Sequence, residues 1–176
     1  MKLQLHAFYS TEHELNIDFF CNVDRHKNQL ELNYQLMGDL QTIFIPQAFD
    51  RPTRQDELWR ETCFEFFLGV ENTSDYWEFN LSPSGHWNVY YFEDYRQGMQ
   101  REAAFVELPF KVDRQPNRLI LALKVDLEKI GLADRNLQVA ITAVIKQTDE
   151  TVTYWALTHT GSQPDFHSRE SFLYEC

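Results

Sequence analysis

The chain has 176 residues, 43% hydrophobic and 15% aromatic, enough for one packed domain over 1–176, and its 6 Gly and 6 Pro leave little room for disordered linker. With 16 basic against 27 acidic residues the formal net charge is −11, which repels phosphate backbones and anionic lipid, so neither nucleic acid nor membrane is expected as a partner. The opening MKLQLHAFYSTEHELNIDFF lacks a basic start with an apolar block and cleavage site, no run of ~18 apolar residues occurs, and the 3 cysteines share no metal-ligand spacing; a cytoplasmic protein with reduced thiols is expected.

Apolar residues fall at every second position through Leu15, Ile17, Phe19, Cys21 and Val23, and again through Leu30, Leu32, Tyr34 and Leu36. That period is a strand's, and Asp24 to Asn28 is the polar turn between the two. Thr42 to Ile45 reads as a short third strand. The prolines and charges of PQAFDRPTRQDELWRE then forbid a ladder. Further strands are expected over Thr62 to Leu68, Tyr76 to Leu81, Trp87 to Phe92, Phe105 to Val112, Leu119 to Val125, Leu137 to Ile145 and Thr151 to Leu157. VDLEKIG, Val125 to Gly131, reads as a single helical turn with Asp126 as cap and Gly131 as stop. Many strands, short polar turns and minimal helix predict an all-β fold. The expected form is an antiparallel β-sandwich of two sheets, jelly-roll or immunoglobulin-like, with a barrel as the other arrangement this pattern allows.

YWEFNLSPSGHWNVYYF, Tyr76 to Phe92, reads as a hairpin. With Pro83, Ser84 and Gly85 as the loop and Gly85 at positive φ, Ser82 lies opposite His86, Asn80 opposite Asn88 and Glu78 opposite Tyr90. Trp77, Phe79, Leu81, Trp87, Val89 and Tyr91 then share the core face. The other face carries Tyr76, Glu78, Asn80, Ser82, His86, Asn88, Tyr90 and Phe92, and the strand before it adds Glu65. A water-facing sheet usually bears Lys, Thr and Glu rather than Tyr, Phe and Asn. Aromatics beside carboxylates and amides suit a sugar, whose C–H face stacks on a ring while planar polar groups bind its hydroxyls.

LWRETCFEFFLG, Leu58 to Gly69, followed by this hairpin and by a Trp155 strand leading into PDF, resembles the DOMON-like superfamily related to family 9 carbohydrate-binding modules. The resemblance covers the middle and C-terminal parts of the chain. It implies a β-sandwich with a non-catalytic ligand site on a concave sheet face, used for sugars in some members and haem in others. By the same resemblance Glu65 matches a strand carboxylate that contacts sugar hydroxyls, and Trp59 lies near an expected stacking aromatic. The tail THTGSQPDFHSRESF departs from sugar-binding members in having no Trp, which leaves Phe166 or His159 as a second wall. No acidic cluster matches calcium ligands.

The candidate ligand contacts are therefore Trp59, Glu65, Glu78, Asn80, Asn88 and Tyr90. Arg96 is added as a bidentate clamp or the partner of Glu93 or Asp94, and His159 as a residue of the loop Thr158 to Ser168. His159, Asp165 and His167 include no tight His pair and no Cys partner, so no metal is expected. Glu65 and Glu78 invite comparison with a glycosidase pair. Facing acids on any sheet have such a separation, however, and neither a nucleophile elbow nor a phosphate loop occurs. The reading is a binding domain for a small-molecule ligand, a carbohydrate or sugar-containing metabolite, with no cofactor and no enzymatic activity. Two alternatives stay open. One is haem held by axial donors among Met37, Met99, His86 and His159. The other is an interaction module whose aromatic face docks another protein or a second copy as a homo-oligomer.

Overall fold

The structure, a computed structural model, describes residues 1–8 and 15–176. Alternating apolar residues pair into two antiparallel sheets. The smaller consists of β1 (Lys2–Gln4), β3 (Ile17–His26), β4 (Gln29–Gly38), β10 (Arg118–Asp126) and β9 (Phe110–Gln115), in the order β1-β3-β4-β10-β9. The larger runs β2 (His6–Ala7), β12 (Val152–Ala156), β11 (Leu137–Lys146), β5 (Cys63–Val70), β6 (Tyr76–Leu81), β7 (Trp87–Phe92) and β8 (Gln100–Arg101), with β13 (Tyr174–Glu175) also pairing β11. The two sheets form the expected β-sandwich. No helix among the described residues is long and apolar enough to cross a membrane.

The core lies between the sheets. Phe19, Cys21 and Val23 of β3 and Leu32, Tyr34 and Leu36 of β4 meet Phe64, Phe66, Leu68, Phe79 and Leu81 of the larger sheet, all buried. Phe66 and Phe79 stack at 4.3 Å, and Phe64 meets Phe19 and Tyr34 edge-on. Each such side chain contributes about 1.5–3 kcal/mol on burial. The Tyr34 hydroxyl crosses the core and donates to the backbone oxygen of Glu65 at 2.5 Å, fixing β5 from beneath.

The hairpin has the expected register. Glu78 pairs with Tyr90 and Asn80 with Asn88. The Ser82 N–H donates to the His86 carbonyl, and Gly85 takes φ 97°, a conformation that favours glycine. The turn over Leu127–Ile130 is also as expected, with Asp126 accepting from the Glu128 N–H and Gly131 closing it.

Two expected strands are corrected. At Thr42 to Ile45 no strand forms: the Asp39 side chain accepts from the Gln41 N–H and winds Leu40–Thr42 into a 3-10 turn, leaving Ile43 as an isolated bridge to Gln147. At Phe105 to Val112 the strand begins only at Phe110, because Pro109 has no N–H to give a ladder. Phe105 and Leu108 are nevertheless buried in the core.

The outer face of the larger sheet is not open, as the sequence led us to expect, but covered. Phe67, Tyr76, Tyr90, Phe92, Ala140, Val144 and Ala156 form a second apolar cluster with Phe166 and Phe172 of the C-terminal segment, and Trp59 packs against it. Strand β5 is consequently buried along its whole length, which accounts for the near-continuous apolar run CFEFFLGV. Tyr90 and Phe92 are 2% and 3% exposed, so this aromatic face does not present itself to a docking protein or a second copy.

Candidate functional site

Two covering segments shape the site, and each is hydrogen-bonded to the sheet. Arg169 lies across β5, where its guanidinium donates to the Val70 carbonyl at 2.8 Å and to Gln138 Oε1 at 3.0 Å and stacks over Phe172 at 4.7 Å. It fits only because position 69 has no side chain. A Cβ on Gly69 would fall 1.1 Å from Arg169 Nη1. The second segment, loop 46–61, is held by Asn88 and Tyr90. The Asn88 amide donates to the Gln55 carbonyl, to Asp56 Oδ1 and to Tyr90 Oη, and the Tyr90 hydroxyl donates to Asp56 Oδ1 at 2.7 Å. Arg101 pairs with the same Asp56 from outside. Glu57 then turns the chain at φ 58° into the 3-10 turn Leu58–Arg60, which sets the half-buried Trp59 ring edge-on to Tyr90 at 6.0 Å.

Between these segments and the sheet lies a cavity of about 370 Å³. Its walls are aromatic and apolar, with Trp59, Phe92, Met99, Tyr154 and Phe166. Its polar groups are Glu65 and Glu78 on the sheet floor, Arg96 from the loop after β7 and His167 from the C-terminal segment. Its volume falls within the range of small-molecule pockets.

The floor is electrostatically unusual. Glu65 is 3% exposed, and its Oε1 has no hydrogen-bond partner among the described residues. Burial, reinforced by the neighbouring Glu78 charge, holds its carboxyl well above the usual range. Burial also lifts Glu78, which settles at about 7 because the Asn80 amide, donating at 2.8 Å, and the Arg96 charge both favour the ionised form. His167 is pushed down to about 4 by burial and by Arg96. Its Nδ1 lies 2.8 Å from the Tyr76 hydroxyl, whose oxygen also accepts the Arg96 N–H. Arg96 is held by Asp165 at 2.9 Å, and the Tyr95 hydroxyl donates to the same carboxylate.

No protein-family model matches the sequence, and no curated protein matches it. Among solved structures, a candidate carbohydrate-binding protein from Bacteroides uniformis ATCC 8492 superposes with a TM-score of 0.70 at 11% identity, over 98% of this chain and 84% of that one. A family 9 carbohydrate-binding module from Caldicellulosiruptor kristjanssonii, in complex with cellotriose, superposes with a TM-score of 0.51 at 8% identity, over 87% of this chain and 72% of that one. The likeness is one of fold.

Of the eight residues singled out in the sequence, Trp59, Glu65, Glu78 and Arg96 line the cavity of this fold. Asn80, Asn88, Tyr90 and His159 stand outside it. Asn80 and Asn88 are 0% exposed and hold other groups in place, Asn80 the Glu78 carboxyl and Asn88, with Tyr90, the loop that carries Trp59. The His159 Nε2 lies 2.9 Å from the His6 carbonyl, and its ring meets Phe8. The ion-pair partner of Arg96 is Asp165, not Glu93 or Asp94. Among the four axial donors considered for haem, only Met99 reaches the cavity. Sequence reasoning passed over Val144, Tyr154 and Pro164 as wall residues, put Phe92 on the ligand face without naming it a contact, and weighed Met99 only for haem and His167 only for a metal. The PDFH stretch has no periodicity to show which side chains turn inward.

Proposed function

We propose that this domain binds a saccharide in the cavity above β5–β7 and does not transform it. The observation that carries the reading is the buried, unpartnered Glu65 Oε1 on the floor of an aromatic-walled cavity. An unpartnered buried polar atom costs about 1–3 kcal/mol, which a guest hydroxyl donating to it would recover. Trp59 and Phe166 supply rings for the C–H face of a sugar, while Glu78, Arg96 and His167 supply further acceptors and donors. The sandwich likeness to a module solved with cellotriose supports the same ligand class.

Binding without hydrolysis is the reading because both carboxyls rise from one floor. Glu65 sits opposite Asn80 and Glu78 opposite Phe67 on adjacent strands, side by side, whereas a glycosidase pair flanks the scissile bond. The test is a thermal-shift screen of mono- and oligosaccharides, with chromatography of each hit after long incubation. The expected result is a rise in melting temperature with the saccharide recovered intact. Cleaved product would assign the acid pair to catalysis, and a panel without a single shift would reject the reading.

A further inference from the structure

The floor of the cavity is short of positive charge. Two buried carboxyls lie there, and the groups facing them from every neighbouring element are nearly all neutral. Glu65 is approached by the Cys63 thiol of its own strand, by Tyr34 from the smaller sheet and by Glu78 from β6. Glu78 is approached by Asn80, by the hydroxyls of Tyr76 and Tyr90, and by His167 at 3.9 Å. Among the described residues the cation that acts on the floor is Arg96, and its guanidinium is engaged by Asp165. His167 cannot supply a charge at neutral pH, since burial keeps its imidazole unprotonated.

A metal ion does not fit this donor set. Calcium takes six to eight oxygens, and no group of three or more His, Cys, Asp or Glu side chains able to hold a metal is assembled among the described residues. An organic ammonium does fit. It donates three hydrogen bonds, so that it can meet Glu65 Oε1 and Glu78 and keep one donor over, and aromatic rings stabilise a cation placed over their faces. Trp59, Phe92, Tyr154 and Phe166 line the same cavity. The net charge of −11 attracts such a guest from a distance.

We propose that the saccharide taken by this site is an amino sugar with a free amine, its ammonium group seated between Glu65 and Glu78 and its ring against Trp59 and Phe166. This rests on the saccharide reading and narrows it. The proton balance is explicit. Where the floor holds a protonated carboxyl, the arriving ammonium pairs with the carboxylate, and the displaced carboxyl proton leaves to solvent. Cation binding is therefore coupled to proton release, while binding of an uncharged sugar is not.

Isothermal titration at pH 6.5 in two buffers of different ionisation enthalpy, with D-glucosamine, D-glucose and N-acetyl-D-glucosamine, tests the proposal. Glucosamine is expected to bind about tenfold or more tightly than the other two, with a buffer-dependent enthalpy that reports proton release. Glu78→Gln and Glu65→Gln should each weaken the preference and reduce the release. The buffer comparison on the unaltered protein stands even where either variant fails to fold. Equal affinity for glucose and glucosamine, or binding of glucosamine with no proton released, overturns the amine proposal and leaves the saccharide reading intact. If neither these three sugars nor the wider saccharide panel binds, both fall together.

Discussion

His167 Nε2 stands 3.9 Å from Glu78 Oε2, and the two do not form an ion pair. Burial holds the imidazole at about 4 and the carboxyl at about 7, so the histidine has lost its proton before the glutamic acid gives up its own. A histidine and an acid side by side usually neutralise each other. Here both are kept in their neutral forms over much of the range between those values, in a cavity with aromatic walls, which suits polar recognition more than fold stability.

Stability should therefore depend on pH with a sign set by each group. Glu78 has a folded-state value raised from 4.5 to about 7, so the folded state holds the proton more tightly. Its favourable contribution is complete below 4.5 and is lost as pH rises to 7, a change of about 3 kcal/mol, and Glu65 acts in the same direction. His167 is lowered from 6.5 to about 4, so its contribution is complete above 6.5 and lost as pH falls to 4. The two oppose each other between 4.5 and 6.5, and above 6.5 the acids alone act. Because the two acids together outweigh His167 even where it opposes them, the melting temperature should decline gently from pH 4.5 to 6.5 and more steeply just above 6.5, as followed by differential scanning calorimetry.

Glu78→Gln should be more stable than the unaltered protein at pH 8, by about 2–3 kcal/mol in chemical denaturation, and nearly equal to it at pH 5. The amide oxygen of the glutamine can still accept from Asn80, so the change removes the charge and keeps the shape. Glu65→Gln should show the same trend. A substitution that stabilises a fold while weakening its ligand is the expected mark of a residue retained for binding. Loss of stability at pH 8 would instead assign the carboxylate to the fold.

Gly69→Ala should loosen the C-terminal cover. The new methyl group takes the space of the Arg169 guanidinium, and crowding of this kind costs about 1–3 kcal/mol. Because Arg169 anchors the segment that brings Phe166 and His167 to the cavity, hydrogen exchange should speed up over residues 164–173 before the sheet is affected. Unchanged protection there would show that the segment is held by its apolar contacts alone.

Asn88→Ala should act at a distance on Trp59. The amide it removes ties loop 46–61 to the sheet at two acceptors, the Gln55 carbonyl and the Asp56 carboxylate, and also donates to the Tyr90 hydroxyl on its own strand. The expected cost is about 1–3 kcal/mol, together with faster proteolytic cleavage within the loop. Tyr90→Phe removes only the hydroxyl that donates to Asp56 and should have a smaller effect in the same direction. An Asn88 variant that binds ligand and resists cleavage like the parent would mean the loop needs no such tether.

Two-residue periodicity made the sandwich legible in the sequence, and the Gly85 turn fixed the hairpin register closely enough to pair Glu78 with Tyr90 and Asn80 with Asn88. Where local chemistry competes with the period, at Asp39 and Pro109, the expected strands shifted or failed. The cover over the second face was the larger surprise. Alternation shows which residues share a face but not what lies on top of it, and segment 157–173 reaches the sheet and its loops through contacts distant in sequence, such as Arg169 with Val70 and Asp165 with Arg96 of the loop after β7. That cover turned Asn80, Asn88 and Tyr90 from exposed contacts into supports, and it brought Phe166 and His167 into the site.

The most direct test of saccharide binding uses the chain's own reporter. Trp77, Trp87 and Trp155 are buried at 8%, 4% and 7% exposure, so Trp59 is the tryptophan a guest in the cavity would meet. Titrating the saccharide panel while following tryptophan emission should give a saturable change for at least one sugar. Trp59→Phe should abolish that change, and Glu65→Ala should abolish binding with the melting temperature preserved. A sugar that binds with undiminished affinity to the Glu65→Ala protein, or no response from any saccharide in the parent, would contradict the account.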